Sequence, residues 1–522
     1  MGKINQLKFG SLLSYVQMAL GVVISLLYTP VMLKLLGQSE YGLYNTVSST
    51  ISMLSLLSLG FNSGYIRYFA KYKKENDTEA IWKLNGLFLT IFMIIGFIAL
   101  ICGTFLSFNL KFVFADGLTA SEFSLAKTLM LLLTFNLAIS FPMSVFTHII
   151  SANEKFIFLK LTSIIKTVLN PLVTLPLLLI GFRSVAMVVV TLFFSVLTDG
   201  IFMYYVLKKL KYKFVFRNFE KGVVKSLFLY TSFIAINLIV DQINWNTDKI
   251  LLGRFKGTDS VAVYSVGYTL YQYYMMLSTS ISSMFTPRIH HIVNETDDNN
   301  QLQRKKLTEL FVKVGRIQFL ILSLVAFGIV FFGRDFIIKY WAGAEYGEAY
   351  YVALLLIFPA SIALTQNLGI EIQRAQDKHR FRAIVYVIMA ILNILMSIVL
   401  CQKYGAIGSA VGTAISLVLA NGLMINLYYH YRCNIDIFAF WKNILRMMVG
   451  LIIPVACGIL LNKYVVLSNI WQYLCAIMIY TCIYSVSMWF FGINMYEREL
   501  FLKLIKKGRK KRNDGAHKQK QV

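Results

Sequence analysis

Charged residues are scarce in this 522-residue chain: Asp, Glu, Lys and Arg make up 15 % of it, and only 25 residues are acidic. Ordinary soluble domains carry about 25 % charge, so a surface wetted all round is excluded. Cysteine is equally thin. The six (Cys102, Cys401, Cys433, Cys457, Cys475, Cys482) are scattered with no CxxC or other ligand spacing. That excludes a disulfide framework or a metal cluster and leaves them as small packing residues. The six histidines (His148, His290, His291, His379, His430, His517) have neither ligand nor triad spacing, and there is no phosphate-binding glycine loop. No catalytic constellation is present, and no cofactor is implied. No cleavable signal precedes the first apolar run, which is a full-length span and reads as a signal anchor. All seven prolines lie in or at the edge of apolar runs, where they suit helices that bend or static kinks equally.

What fills the chain is apolar. At 57 % hydrophobic and a mean hydropathy of +0.64, it reads as an all-α polytopic membrane protein. About fourteen transmembrane helices are expected, near 11–36, 41–65, 85–108, 126–149, 157–180, 184–207, 226–252, 260–286, 312–333, 347–370, 383–402, 406–429, 444–462 and 470–492. The net charge of +26 would suggest nucleic acid in a soluble protein, but here it follows topology. With a cytoplasmic N-terminus, 38 Lys and Arg fall inside and ten outside, with Lys166, Lys249 and Arg316 within spans. Both termini are therefore expected in the cytoplasm, with the chain in the cell membrane and no nucleic acid as partner.

The most informative stretch is Ser226 to Leu252, which is long enough to span yet carries Asn237, Asp241, Gln242, Asn244, Asn246, Asp248 and Lys249. A carboxylate at mid-membrane costs about 2.5–3.5 kcal/mol even on lenient scales, so such residues face a bundle interior or a watery cavity. Wound as a helix, Asn237, Asp241, Asn244 and Asp248 share one stripe. Two readings stand: a hydrogen-bonded helix interface, or the wall of a polar translocation path. Span 1 adds Gln17, Ser25 and Tyr28, span 2 adds Asn45, and span 5 adds Asn170 and Lys166. Lys166 lies about 15 Å into the bilayer at 1.5 Å per residue, where it needs a carboxylate such as Asp241 or an anionic ligand. Arg67 and Arg288 follow spans 2 and 8 at the cytoplasmic boundary, where lipid phosphates are within reach.

The chain repeats itself. Tyr44 matches Tyr264 at a separation of 220, Arg67 matches Arg288 at 221, Leu169-Asn170 matches Leu392-Asn393 at 223, and Gly181 matches Gly405 at 224. Leu35-Leu36-Gly37 also matches Leu251-Leu252-Gly253, at 216. The growing offset predicts two homologous six-helix lobes in one orientation. The expected division is an N-terminal lobe over 1–207, a basic cytoplasmic linker over 208–225, a C-terminal lobe over 226–429, two added spans over 430–496 and a basic tail over 497–522.

Two six-span lobes plus two spans, with IRYFAKY after span 2, NLIVDQINWNTDKILLG in span 7 and LNPLVTLPLLLIGFRSVA in spans 5 to 6, resemble the polysaccharide transporter branch of the multidrug/oligosaccharidyl-lipid/polysaccharide (MOP) exporter superfamily, the Wzx-type repeat-unit flippases. The resemblance implies a MATE/MOP-like fold working by alternating access. It also implies a flippase that takes a polyprenyl-diphosphate-linked oligosaccharide to the outer leaflet, with polysaccharide polymerase and glycosyltransferases as cellular partners. Arg67, Lys166 and Arg288 are then candidate phosphate contacts, and the amide and hydroxyl stripes candidate sugar contacts. Asp241 is the candidate coupling group for H+ or Na+. Alternatives are a multidrug/cation antiporter of the same fold and a membrane scaffold for glycosyltransferases. Asp241→Asn is expected to abolish glycan export while membrane insertion, followed by fractionation, stays normal; unaltered export would reduce Asp241 to packing.

Overall fold

In hydrocarbon a backbone amide has no water to bond, so each apolar run closes its hydrogen bonds within itself and becomes a helix. The computed structural model describes residues 6–58, 60–114, 118–217, 221–296, 300–378, 380–465, 467 and 469–499, and among them there is no strand. The helices run α1 Gln6–Leu36, α2 Gln38–Met53, α3 Phe61–Lys74, α4 Thr78–Phe108, a short α5 Lys111–Phe114, α6 Ala120–Ala152, α7 Phe156–Ile180, α8 Arg183–Tyr204, α9 Lys221–Phe255 and α10 Thr258–Ser282. They continue with α11 Thr286–Glu295, α12 Asn300–Asp335, α13 Ala349–Thr365, α14 Leu368–Ala375, α15 Arg380–Leu417, α16 Ile425–Arg432, α17 Ile437–Met448, α18 Ile452–Tyr464 and α19 Ile470–Ser487.

Among the described residues ten helices are long and apolar enough to cross a membrane. The expected total of fourteen is divided differently. Spans 383–402 and 406–429 fall in one element, 380–432, reversed at Gly405, whose φ of 57° and ψ of −134° lie outside helical values. The polar α9 and α10 reach span length without being among the ten.

Backbone features recur along the chain. Turn residues with positive φ recur as Gly37 and Gly257, Glu154 and Asp377, and Gly181 and Gly405, at separations of 220, 223 and 224. The second spans also break alike. α2 gives way to a 3-10 turn over Leu54–Ser58 before α3, and α10 to one over Ser283–Phe285 before α11. One sequence match moves: the counterpart of Gly37 is the turn residue Gly257, because Gly253 lies inside α9.

The chain forms two compact units. The first comprises residues up to Leu270 with Ile337–Leu356 and Arg382–Ser416. One of its cores stacks Phe61, Tyr65, Phe69, Phe88 and Phe92 where α3 meets α4, and the buried Tyr65 hydroxyl donates to Asn85 Oδ1 at 2.7 Å. The basic segment after α8 docks on α4: the Val215 amide donates to Trp82 O at 3.1 Å, and only a glycine at 86 leaves room for the Val215 backbone.

The second unit comprises Tyr271–Phe336, Ile357–Phe381 and the residues from Leu417 onward. Its notable pair is buried. Arg316 of α12 donates through Nε to Glu497 Oε1 at 2.5 Å and through Nη2 to Glu497 Oε2 at 2.8 Å. Its remaining donors reach Asn443 O and Gly492 O at 3.2 and 3.0 Å. Five guanidinium hydrogens meeting four acceptors make this cation affordable inside the bilayer. Removing one partner strands the other's charge. Arg316→Ala is therefore expected to destabilise the protein by about 3–5 kcal/mol, read as a lowered midpoint in detergent thermal unfolding, with Glu497→Gln in the same chain recovering part of the loss.

Candidate functional site

α9 brings Asp248 deep into the first unit, where it is only 3 % exposed. Helices on either side of the Gly405 reversal meet it. Asn393 and Ser397 precede the reversal and Ser409 and Thr413 follow it, each pair four residues apart and so on one helical face. The two limbs can lie this close because a Cβ at Gly408 would strike Leu400 O, and one at Gly412 would crowd Ser397 Oγ. Asp248 Oδ1 accepts from Ser397 Oγ at 3.0 Å and Ser409 Oγ at 2.7 Å. Oδ2 accepts from the Tyr264 hydroxyl and Thr413 Oγ1, both at 2.6 Å.

The same hydroxyls also face Asn393 Oδ1, at 3.0 Å from Ser397 and 3.4 Å from Thr413. Each carries one proton, so Asn393 Oδ1 competes with the carboxylate for it. No ion pair to Asp248 exists among the described residues. One carboxylate, one amide oxygen and three aliphatic hydroxyls form an all-oxygen set. Hydroxyls can turn their lone pairs inward, so this donor set fits a hard monovalent cation, or a proton on the carboxylate itself. Beside it Lys249 Nζ sits 4.8 Å from the Tyr268 ring, which stacks on Tyr264.

A second polar ladder joins α7 and α8. Lys166, Asn170 and Thr174 follow each other at four-residue steps on α7, and Thr191, Ser195 and Asp199 do so on α8. Lys166 Nζ donates to Ser195 Oγ at 2.9 Å, Asn170 Nδ2 to Thr191 Oγ1 at 3.2 Å, and Thr174 Oγ1 to Asn170 O at 2.7 Å. Asp199, one turn beyond Ser195 on α8, is a carboxylate whose field reaches Lys166. Sequence reasoning missed it, although an acid inside span 6 is itself the signal.

The remaining sequence candidates are dispersed. Gln17, Ser25 and Tyr28 are half-buried along α1, which packs on α7. Asn45 donates to Tyr41 O of its own helix at 2.9 Å. Asn244 is half-buried on α9, and its neighbour Gln242 donates to Ser55 Oγ at 3.2 Å. Arg67 is exposed on α3 and Arg288 is exposed on α11 of the second unit. The side chains of Asn237 and Asp241 lie outside the described residues. Asp248, Lys166 and Asn170 are held in networks that cross between helices.

A many-span helical protein that keeps a carboxylate and an ammonium deep in hydrogen-bonded networks belongs to the class of membrane transport proteins. Its fold matches that of the lipid II flippase MurJ in an inward closed conformation, with a TM-score of 0.68 over 94 % of this chain and 99 % of that one at 15 % identity. A MATE-family multidrug resistance transporter in an inward-facing conformation matches at 0.62, over 80 % of this chain and 99 % of that one, also at 15 % identity. A Shigella flexneri protein named as an O-antigen transporter is 21 % identical over 77 % of this chain and 92 % of its own length. Residues 10–293 match the polysaccharide biosynthesis protein family, and the chain belongs to it.

Asp248→Asn would set an amide NH2 against two hydroxyl donors. A stability loss of about 1–3 kcal/mol is expected from the forced rearrangement, measured by thermal unfolding; an unchanged midpoint would mean the carboxylate is not held as described.

Proposed function

We propose that the protein is a flippase that moves a polyprenyl-diphosphate-linked oligosaccharide from the inner to the outer leaflet of the cytoplasmic membrane, for cell-surface polysaccharide synthesis. The observation that carries this reading is the family match over residues 10–293. The likeness to a protein named as an O-antigen transporter along 92 % of its length supports the substrate class. The fold shared with a lipid II flippase is of a kind that handles a lipid-linked sugar.

The physical task fits the residues. A diphosphate and its sugars must cross about 30 Å of hydrocarbon while the lipid tail stays in the bilayer. The protein must therefore supply donors and cations at depth. In this reading Arg67, Lys166 and Arg288 meet phosphate, while Gln17, Ser25, Tyr28, Asn45, Asn170, Asn237 and Asn244 serve the sugars. The two repeats, 1–207 and 226–429, alternate in access, and both termini are cytoplasmic. Coupling is placed at Asp248, with Asp241 as the other carboxylate of α9; Asp248, Asn393, Ser397, Ser409 and Thr413 would hold the ion. A bound cation would supply positive charge against the carboxylate, freeing the hydroxyls from donating to it. Polymerase and glycosyltransferases are the neighbours that consume and make the substrate.

Deleting the gene is expected to accumulate lipid-linked oligosaccharide on the cytoplasmic side, seen by lipid extraction and mass spectrometry, and Asp248→Asn is expected not to restore export. Normal glycans with raised sensitivity to cationic dyes would instead favour multidrug/cation antiport; the MATE-type neighbour is named as a multidrug resistance transporter.

A further inference from the structure

At the ends of the helices opposite the basic loops, three junctions of the first unit converge on one carboxylate. Glu122 sits in the first turn of α6. Its Oε2 completes the helix cap, accepting from the Thr119 amide at 2.9 Å and the Thr119 hydroxyl at 2.7 Å. Its Oε1 is left to face outward from the helix, and there it accepts from Ser39 Oγ, at the start of α2, and from Thr258 Oγ1, at the start of α10, at 3.1 Å. The Ser39 and Thr258 hydroxyls are themselves 3.3 Å apart. The triangle is closed.

Beneath it the helices touch through glycine. A Cβ at Gly42 of α2 would lie 1.8 Å from Thr258 O, and one at Gly253 of α9 would lie 2.7 Å from Thr46 Cγ2. Thr46 is 0 % exposed. Gln38 Nε2 adds longer contacts of 3.5 Å to Asp259 O and Glu345 O. The triangle lines a cavity of about 630 Å³, together with Glu40, Arg183, Lys256 and Asp259 among others. Glu40 forms part of its wall, fixed by the Ser184 amide at 2.8 Å and hydroxyl at 2.5 Å and by Arg183 at 3.3 Å.

We propose that Glu122, Ser39 and Thr258 form the outer latch of the transport cycle, with the Gly42–Thr258 approach as its seat. The inference rests on the flippase reading for its role and on the two-repeat reading for its meaning, since Ser39 and Glu122 belong to the first repeat and Thr258 to the second. A single carboxylate oxygen taking two hydroxyl bonds is strong enough to hold a closed end and weak enough to release it within a cycle. At the Gly42–Thr258 approach α2 presents no side chain, so the helices can part there without unthreading. The cavity gives the parted hydroxyls water to bond to, which lowers the cost of opening. A latch of hydroxyls and one acid needs no cation to work, whereas an Arg–carboxylate clamp would hold longer.

The test reads opening directly and does not depend on what is transported. Thr46→Cys places a near-isosteric thiol in the closed seat, and a membrane-impermeant maleimide applied from outside reports its exposure in whole cells, against the unsubstituted protein as the blank. Adding Glu122→Ala is expected to raise the labelling rate by about tenfold or more, the size of a modest population shift. Gly42→Ala, which removes no polar group, is expected to do the same. Separately, Ser39→Cys with Thr258→Cys is expected to form a disulfide under mild oxidation that stops glycan export reversibly. Labelling of Thr46→Cys that is equal with and without Glu122→Ala and Gly42→Ala overturns the latch, as does failure of the two cysteines to join. If the disulfide forms and the labelling shifts while glycan export never depended on the protein, the latch stands and the flippase reading falls.

Discussion

The constraint on which this structure turns is that a polar atom in hydrocarbon must find its partner within the protein. Asp248 shows it most sharply. Its carboxylate sits where a bare charge would be prohibitive, and four hydroxyls drawn from α10 and both limbs of α15 stand round it. Those hydroxyls cannot converge unless α15 doubles back, and it doubles back only because Gly405 adopts a backbone conformation that a side chain would strain. Glycines at 408 and 412 then let the limbs close. The reversal at Gly405, the small residues beside it and the i, i+4 polar pairs thus act together on one buried acid.

The same rule is met differently elsewhere. Lys166 is held by a serine hydroxyl and the field of Asp199, an arrangement with fewer bonds and more freedom than that of Asp248. Arg316 meets four acceptors, both oxygens of one carboxylate and two backbone carbonyls, which suits an anchor. The Arg316 cluster ties α12 to the C-terminal residues of its unit, whereas the Ser397 and Thr413 hydroxyls on Asp248 also face Asn393 Oδ1.

Much of this was legible in the sequence, and the failures have physical causes. Hydropathy located the apolar spans because length and apolarity are what the bilayer selects. Gly181 and Gly405, matched in the sequence, both prove to be turn residues with positive φ. The expense of burying Asp248 and Lys166 marked them out. Their partners were not legible: Ser397, Ser409, Thr413 and Ser195 look like any small residues used for close helix packing, and only the fold shows which hydroxyls converge. The available clue was polar pairs at four-residue spacing on both sides of a glycine, Asn393 with Ser397 and Ser409 with Thr413. Glu122 escaped notice because an acid at a helix start is ordinarily a cap, and its second oxygen works only once α2 and α10 arrive beside it.

The most direct measurement of the central claim is transbilayer movement in a defined system. Purified protein reconstituted in liposomes, given a fluorescent polyprenyl-diphosphate oligosaccharide, should bring the headgroup within reach of an external glycosidase or lectin, and protein-free liposomes should not. Equal exposure with and without protein would contradict the account.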